Sequence, residues 1–258
     1  SEVRHLGTEI NLKVLQSIFE KMKGHVDYLF STAAEDFVVE NDEVKGVILQ
    51  NGEVIESKYV IIGVGRGGSA WQSKVLSKHG VKLHNNRVDV GVRVETNDII
   101  MEEINKHLYE GKFIYNTSVG TQVRTFCSNP SGHVVVENWN GIMVCNGHAY
   151  HDSKLGSKNT NFALLVSHEF EEPFHDANEY AREVSDLANK LSSGGVVVQK
   201  FGDIIRGRRS TAKRISEGFV KPTLKEAVPG DLSLILPYKT LQSLIMMMTA
   251  IMYLSEET

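Results

Sequence analysis

The stretch Tyr59-Val-Ile-Ile-Gly-Val-Gly-Arg-Gly-Gly-Ser-Ala-Trp71 decides how the rest of the chain is interpreted. An apolar, strand-like run at Tyr59–Val64 ends in a glycine cluster, and a helical pattern follows. Gly63, Gly65 and Gly68 have the spacing GxGxxG. Between a strand and a helix, this spacing is typical of a dinucleotide-binding loop whose glycines let the backbone approach a pyrophosphate at a helix N-terminus. The sequence therefore predicts a nucleotide-binding loop, either the primary loop of its domain or a secondary one.

The surroundings of this loop favour the secondary role. Ahead of it, Asn51-Gly52 between short apolar runs predicts an antiparallel hairpin. In a primary unit, the helix after the loop, here predicted at Ser69–Lys78, leads to a parallel strand that ends in an acid about 20 residues on. The acid at that distance, Asp89, lies instead among alternating valines, which is typical of an antiparallel strand. A chain that binds NAD by itself is therefore the weaker alternative.

The region before the loop predicts one helix and several short strands. Four apolar residues at helical spacing and a terminal glycine mark the helix: Leu12, Leu15, Phe19, Met22 and Gly24. Strands are predicted at Val26–Phe30, Ala34–Glu40, Val44–Gln50 and Val54–Glu56. The last three form an antiparallel meander that leads into a further strand at Tyr59–Val64.

The region after the loop is predicted to be mostly β. Its strands are expected at Val88–Glu95, Gln122–Cys127, His133–Glu137, Gly141–Cys145 and Phe162–Ser167, with one helical patch at Asp98–Tyr109. Asp176 and Glu179 predict the capping box of a helix that Gly194-Gly195 end, and a strand at Val196–Phe201 follows. We predict a mixed α+β and α/β fold with three domains, 1–86, 87–215 and 216–258.

Composition narrows the class of protein. The 258 residues carry a net charge of -4, which disfavours a nucleic-acid binder. Two cysteines and the lack of a secretory leader predict a reducing, cytoplasmic setting. The most apolar segment, Leu241–Leu254, is shorter than the roughly 20 apolar residues of a membrane span. We expect no membrane role and interpret it as a buried helix or one through which the chain forms an oligomer.

Short blocks spread over nearly the whole chain point to a family. They are His5-Leu-Gly-Thr8, Val44-Lys-Gly-Val47, Gly65-Arg-Gly-Gly-Ser-Ala-Trp71, Asp89-Val-Gly-Val-Arg93, Thr125-Phe-Cys-Ser-Asn-Pro130, Asn146-Gly-His148, Asn159-Thr-Asn-Phe-Ala-Leu-Leu165, Gly202-Asp203 with Gly207-Arg-Arg-Ser-Thr211, and Pro229-Gly-Asp-Leu232. In this order they resemble uncharacterised FAD-dependent dehydrogenases among the glutathione-reductase-like two-domain flavoproteins. The combination is far more specific than any single block.

The resemblance implies where a flavin would lie. Residues 1–86 are similar to part of an FAD-binding domain, made of a helix, a β-meander and the second glycine motif of such proteins. Residues 87–215 are similar to the β-rich, antiparallel substrate-type domain. The resemblance implies that Ala34, Gly63, Gly65 and Gly67 approach FAD through backbone and small side chains, and that Arg66 donates toward its phosphates.

The sequence also departs from the family pattern. It contains no strand–GxGxxG–helix unit before His5 and no flavin-closing block after Leu254. We therefore expect a central fragment of a longer FAD-dependent oxidoreductase, with FAD bound by the parent protein. By itself the fragment is expected to bind FAD weakly or not at all.

Candidate substrate residues lie in the predicted β-rich domain. Arg93 lies on the face of its strand opposite the neighbouring valines, where it either lines a cleft or faces water. His148 belongs to one of the family blocks. Its spacing of three from Cys145 and from His151 is compatible with a metal site, but we predict none, because Asn146-Gly147 form a turn and a fourth ligand is missing.

The remaining candidates are a cysteine and a basic run. Cys127 has no partner cysteine nearby in sequence, so a buried structural role is favoured over a redox role. The dense basic run Arg206–Arg214 contains Arg208 and Arg209, which are candidates for binding an anionic substrate, although a solvated loop is an open alternative. The alternative function is accordingly a module that binds an anionic ligand or macromolecule on a flavoprotein scaffold. No catalytic residue and no particular small-molecule substrate can be assigned.

Overall fold

The computed structural model describes residues 6–174 and 176–256, with side chains to 253. His5, the first residue of one family block, lies outside the described residues. The chain divides into two compact units, one of Leu15–His84 and one of Ser1–Val14 with Asn85–Thr258. The mixture of helices and antiparallel sheets confirms the predicted α+β fold class. The three domains predicted from the sequence stay a prediction.

The smaller unit contains a three-stranded antiparallel meander and a helix. Helix α1 (Thr8–Met22) leads into it, followed by β1 (Ala34–Glu40), β2 (Glu43–Leu49), β3 (Val54–Glu56) and α2 (Ser69–Lys78). The strand order is β1-β2-β3, and both pairings are antiparallel. These elements confirm the predicted helices and meander.

Two strands predicted in this unit do not form. Tyr59–Val64 is irregular, and the side chain of Ile61 is 95% exposed. Val26–Phe30 has only an isolated bridge between Lys23 and Val26. A strand needs a neighbouring strand to accept and donate its backbone hydrogen bonds, and apolar residues alone do not supply one.

The aromatic residues of the segment Val26–Phe30 pack against each other and against α1. The rings of Tyr28 and Phe30 stack with centroids 5.7 Å apart, and Tyr28 lies 5.0 Å from Phe19 on α1. This aromatic packing holds the segment without strand pairing.

The larger unit is built on a four-stranded antiparallel sheet. In chain order its elements are β4 (Val88–Asn97), α3 (Asp98–His107), β5 (Ile114–Asn116), β6 (Gln122–Asn129), β7 (His133–Trp139), β8 (Ile142–His148), β9 (Asn159–His168), α4 (Ala177–Leu191), β10 (Val197–Val198), α5 (Phe201–Ile205), α6 (Ala212–Ser216), β11 (Val228–Pro229) and α7 (Tyr238–Glu256). The order in the main sheet is β4-β9-β6-β5, while β7 pairs with β8 and β10 pairs with β11.

Several expectations for this unit need correction. Of the strand predicted at Val196–Phe201, only β10 forms, and Phe201 begins α5. The end of the basic run belongs to α6 and is not a loop. Strand β5 was not predicted, because three residues are too few to show a period. The antiparallel pairing of β4 with β9 is as predicted, so the glycine loop is not followed by the parallel strand of a primary nucleotide-binding unit.

The core of the larger unit lies between the sheet and α7. Leu164 and Val166 of β9 are fully buried, as is Val123 of β6, and they pack against Leu244 and Met247 of α7. The apolar C-terminal segment is therefore a core helix, one of the two predicted alternatives. Within the described ranges, no helix is long and apolar enough to cross a membrane.

Candidate functional site

The glycine loop forms an open, uncapped start to α2. Gly65 has a φ of 61°, a conformation that favours glycine, and a 3-10 turn of Arg66–Gly68 leads directly into the helix. Neither the turn nor the helix receives a hydrogen bond from a capping side chain. A Cβ added at Gly63, Gly65 or Gly67 would meet no described atom within 4 Å. The N–H of Gly68 donates to the carbonyl of Val64 at 3.3 Å. The open space at the three other glycines leaves room for an anionic group at the start of the helix.

Ala34 lies on the strand against which α2 packs. It begins β1, opposite Leu49. The indole Nε1 of Trp71, in the first turn of α2, donates to the carbonyl oxygen of Glu35 at 3.2 Å. The predicted residues Ala34, Gly63, Gly65, Arg66 and Gly67 are thus carried by neighbouring elements of one unit.

Asp36 fixes the other end of α2 to β1. Its buried carboxylate accepts hydrogen bonds from Lys78, from the ring Nε2 of His79 at 2.7 Å and from the backbone N–H of Phe37 at 2.8 Å. The Lys78 ammonium is the main cause that holds the pKa of Asp36 well below its usual range, against the opposing effect of burial. Sequence analysis did not single out Asp36.

Arg93 is partly buried and is hydrogen-bonded to neighbouring strands. Its Nε and Nη2 donate to the side-chain oxygen of Asn161 at 2.8 and 2.6 Å, and Nη2 also donates to the carbonyl of Cys127 at 2.7 Å. Burial lowers the pKa of Arg93, while both cysteines and Glu95 oppose that effect. The arginine therefore supports neighbouring strands.

The environment of Arg93 depends on two buried asparagines and a glycine. Asn161 is fully buried and Asn129 is 1% exposed, and the Asn129 amide donates to the carbonyl of Cys127 at 2.9 Å. An added Cβ on Gly147 would lie 1.9 Å from Nη2 of Arg93. Only a glycine in β8 allows the guanidinium to pass this close.

The two cysteines flank this cluster and are both free. Cys127 lies in a bulge of β6 with a φ of 49°, and it is only partly buried, so the prediction of a buried cysteine was wrong. Cys145 keeps contact with solvent, yet packing around its sulfur raises the pKa of the thiol to about 11. A thiol with a raised pKa is a poor nucleophile and a poor metal ligand near neutral pH.

His148 lies at the end of β8 in a group of rings. It pairs with His133 across the hairpin, and its ring meets Tyr150 edge-on with centroids 4.3 Å apart. The carboxylate of Glu9 accepts the backbone N–H of His151 at 2.7 Å. Although partial burial raises it, the pKa of Glu9 is lowered overall by this bond and by His148 and His151.

In residues 6–174 and 176–256, no three histidine, cysteine, aspartate or glutamate side chains are arranged to hold a metal ion.

The basic run is organised by one buried acid, Asp203, which is 2% exposed. Its carboxylate accepts from Ser210 Oγ at 2.7 Å, from Arg208 Nε at 2.7 Å and from Arg214 Nε at 3.0 Å. These bonds, Ser210 first, lower the pKa of Asp203 well below its usual range. Two charges of the run are thus partly neutralised by a structural acid that sequence analysis noted only as part of a family block.

Arg209 reaches a different neighbour. Its Nη2 donates to the carbonyl of Pro229, the last residue of β11, at 3.3 Å. The structure ties Arg208 and Arg209 to the segment around α5 and β11, whereas Arg93 and His148 belong to the β4 and β8 region. The sequence candidates thus form separate clusters, and the anion-binding module stays a prediction.

Comparison with known proteins assigns the larger unit. Residues 87–254, more than half of the chain, match the family described as "FAD-dependent protein, C-terminal domain-like". No curated protein matches the chain.

Proposed function

The chain belongs to the family of FAD-dependent proteins that share this C-terminal domain, and we propose that it forms part of an FAD-dependent oxidoreductase of the glutathione-reductase-like type. The family match carries the proposal. In such an enzyme the isoalloxazine ring of FAD supplies the redox chemistry, while the protein supplies binding, orientation and polarity. Residues 87–254 would then provide the domain that receives a small-molecule substrate. The free state of Cys127 and Cys145 supports a reducing, cytoplasmic setting.

The glycine loop fits the cofactor that the family implies. The open space at Gly63, Gly65 and Gly67 accommodates a group that approaches the backbone closely. Uncapped N–H groups at the start of a helix bind phosphate oxygens, and Arg66 lies in the same turn. We assign this loop and Ala34 to one wall of the FAD site.

These 258 residues supply only that one glycine loop. A flavoprotein of this type cradles the pyrophosphate on a primary loop at the start of a parallel βαβ unit, and the loop described here lies after a meander and lacks the preceding strand. We therefore propose that the 258 residues bind FAD weakly or not at all by themselves, and that the parent protein binds it tightly.

Absorbance spectra test this proposal. The chain of 258 residues and a longer form of the protein that extends beyond both ends are purified, incubated with FAD and desalted. We expect the flavin absorbance band in stoichiometric amount only for the longer form. Stoichiometric flavin in the chain of 258 residues would refute the fragment hypothesis, and a longer form without flavin would refute the cofactor assignment.

A matched pair of glycine variants tests the loop in the longer form. Gly65→Val places a side chain in the open space and strains a residue whose φ is 61°. Gly80→Val, at the other end of α2, introduces similar strain at a φ of 76°, also in open space. We expect Gly65→Val to lose flavin and Gly80→Val to retain it, and equal retention would contradict the role of the loop.

A further inference from the structure

A polar cleft in the larger unit has no role in the function proposed above. It lies at the end of β9, beside the start of α7, and has a volume of about 360 Å³. Small-molecule sites typically have volumes of roughly 300–1,000 Å³, so the cleft has room for a small ligand. Its lining residues are Arg87, Gly120, Thr121, Gln122, Ser167, His168, Glu169 and Lys239.

The two cationic side chains of this cleft differ in whether they form an ion pair. The guanidinium of Arg87 is paired with Glu169, to which its Nε donates at 2.9 Å. Lys239, by contrast, pairs with no carboxylate within the described part of the chain. Its ammonium is therefore the positive charge of the cleft that remains available to a ligand.

Lys239 also lies at the N-terminus of a helix, where the helix dipole adds partial positive charge. Lys239 is the second residue of α7, a helix of 19 residues. The first N–H groups of a helix lack intrahelical acceptors, and the helix dipole places partial positive charge there. Lys239 is the residue of α7 that lines the cleft, so this partial charge lies close in sequence to its ammonium.

His168 forms a fixed, polar wall of the cleft. Its Nε2 lies 2.9 Å from the buried hydroxyl of Thr240, and its ring stacks on Phe170. Burial lowers the pKa of His168, Lys239 lowers it further, and Asp89 opposes them. These effects together favour the neutral imidazole, and the ring can report a negative charge that enters the cleft.

The carboxylates around the cleft already have hydrogen-bond or ion-pair partners within the protein. Asp89 accepts from Arg124 Nη2 at 2.6 Å and from Ser167 Oγ at 2.7 Å. Glu169 is paired with Arg87. With both carboxylates paired, the Lys239 charge is left over, which disfavours a cationic ligand.

We propose that this cleft binds a small oxyanion, the carboxylate of an organic acid or a phosphate, through the ammonium of Lys239. The first-turn N–H groups of α7 and the imidazole of His168 supply further polar contacts. Lys239 is the residue that determines the sign of the ligand charge. The site requires no flavin and stands independently of the cofactor assignment.

NMR titration tests the proposal with the chain of 258 residues and without FAD. The ring resonances of His168 are assigned with a His168→Gln variant and followed as succinate or inorganic phosphate is added, with chloride at matched ionic strength as the reference. We expect a saturable shift with at least one oxyanion and an increase in the pKa of His168 in the bound state. Saturation by succinate alone identifies a carboxylate site, and saturation by phosphate alone identifies a phosphate site.

Two lysine variants provide the control. Lys239→Met removes the proposed contact, and Lys213→Met removes a charge from α6, where the lysine side chain is 82% exposed. Because a hydrogen bond to a charged group is lost, we expect Lys239→Met to weaken binding by about tenfold or more, and Lys213→Met to leave it unchanged. Shifts that rise without saturation, or equal affinity in Lys239→Met, would overturn the proposal whether or not the longer protein binds FAD.

Discussion

The packing of Arg93 against Gly147 makes a sharp prediction for Gly147→Ala. The new methyl group would lie 1.9 Å from Nη2 of Arg93, 2.3 Å from the amide nitrogen of Asn129 and 2.5 Å from the side-chain oxygen of Asn161. All three atoms belong to one hydrogen-bonded group, so the side chain cannot fit unless the guanidinium moves. The backbone of Gly147 itself does not have a positive φ, so the predicted effect comes from the lack of space.

The expected cost follows from what the displaced guanidinium loses. A hydrogen bond to a charged group contributes about 1.5–3 kcal/mol, and overpacking adds roughly 1–3 kcal/mol. The carboxamide oxygen of Asn161 is fully buried and would retain only a 3.4 Å contact with Asn129. We therefore expect Gly147→Ala to reduce the free energy of unfolding of the larger unit by about 3 kcal/mol or more.

Urea denaturation followed by tryptophan fluorescence measures this cost. The chain has two tryptophans, and a Trp71→Phe background leaves Trp139, next to the turn of the β7–β8 hairpin, as the reporter of the larger unit. The partner variant Arg93→Met removes the guanidinium and keeps an apolar stem. In that background, Gly147→Ala should cost less by about 1.5–3 kcal/mol. If the cost is the same with and without Arg93, the clash with the guanidinium is not its cause.

Two further predictions concern single ionisable groups. The pKa of Asp36 is lowered in the folded state. Its contribution to the free energy of unfolding is therefore complete above the unfolded pKa of about 4 and is lost as the pH falls. Between pH 5 and roughly pH 2, the free energy of unfolding of the smaller unit should depend less on pH in Asp36→Asn than in the original chain. The pKa of Cys145 is raised to about 11. Its alkylation by iodoacetamide at pH 7.5 should therefore be at least about tenfold slower than that of a free cysteine peptide with a pKa of about 8.5. Mass spectrometry of the modified protein measures the rate, and a rate equal to that of the free cysteine peptide would contradict the raised pKa.

Elements with local causes could be predicted from the sequence. The hairpin at Asn51-Gly52 and the helix that Asp176 caps both formed, because turn and capping preferences act over a few residues. Alternating valines were enough to predict that β4 is an antiparallel strand. The strand predicted at Tyr59–Val64 did not form, because an apolar run becomes a strand only beside a neighbouring strand, which the run itself does not specify.

The candidate site was predicted less completely than the fold. The glycine loop could be found because its function depends on backbone and spacing. Asn161 acts through a contact with Arg93, which is distant in sequence. The partners of Asp203 are Arg208, Ser210 and Arg214, which follow it closely but form no pattern that indicates a buried acid. Lys239 was missed for a different reason, since its proposed role depends on its forming no ion pair with a described carboxylate, which only the structure shows.

The contacts of Arg93 join residues from separate sequence blocks. Arg93 ends the block Asp89–Arg93, and its guanidinium bonds to Cys127 in a second block and to Asn161 in a third, while Gly147 of a fourth leaves room for it. An added Cβ on Gly132 would lie 2.8 Å from the Asn161 amide, so the turn after β6 is part of the same packing. These blocks therefore specify one polar junction between β4, β6, β8 and β9. A substitution in any one of these blocks should therefore disturb the packing of the others.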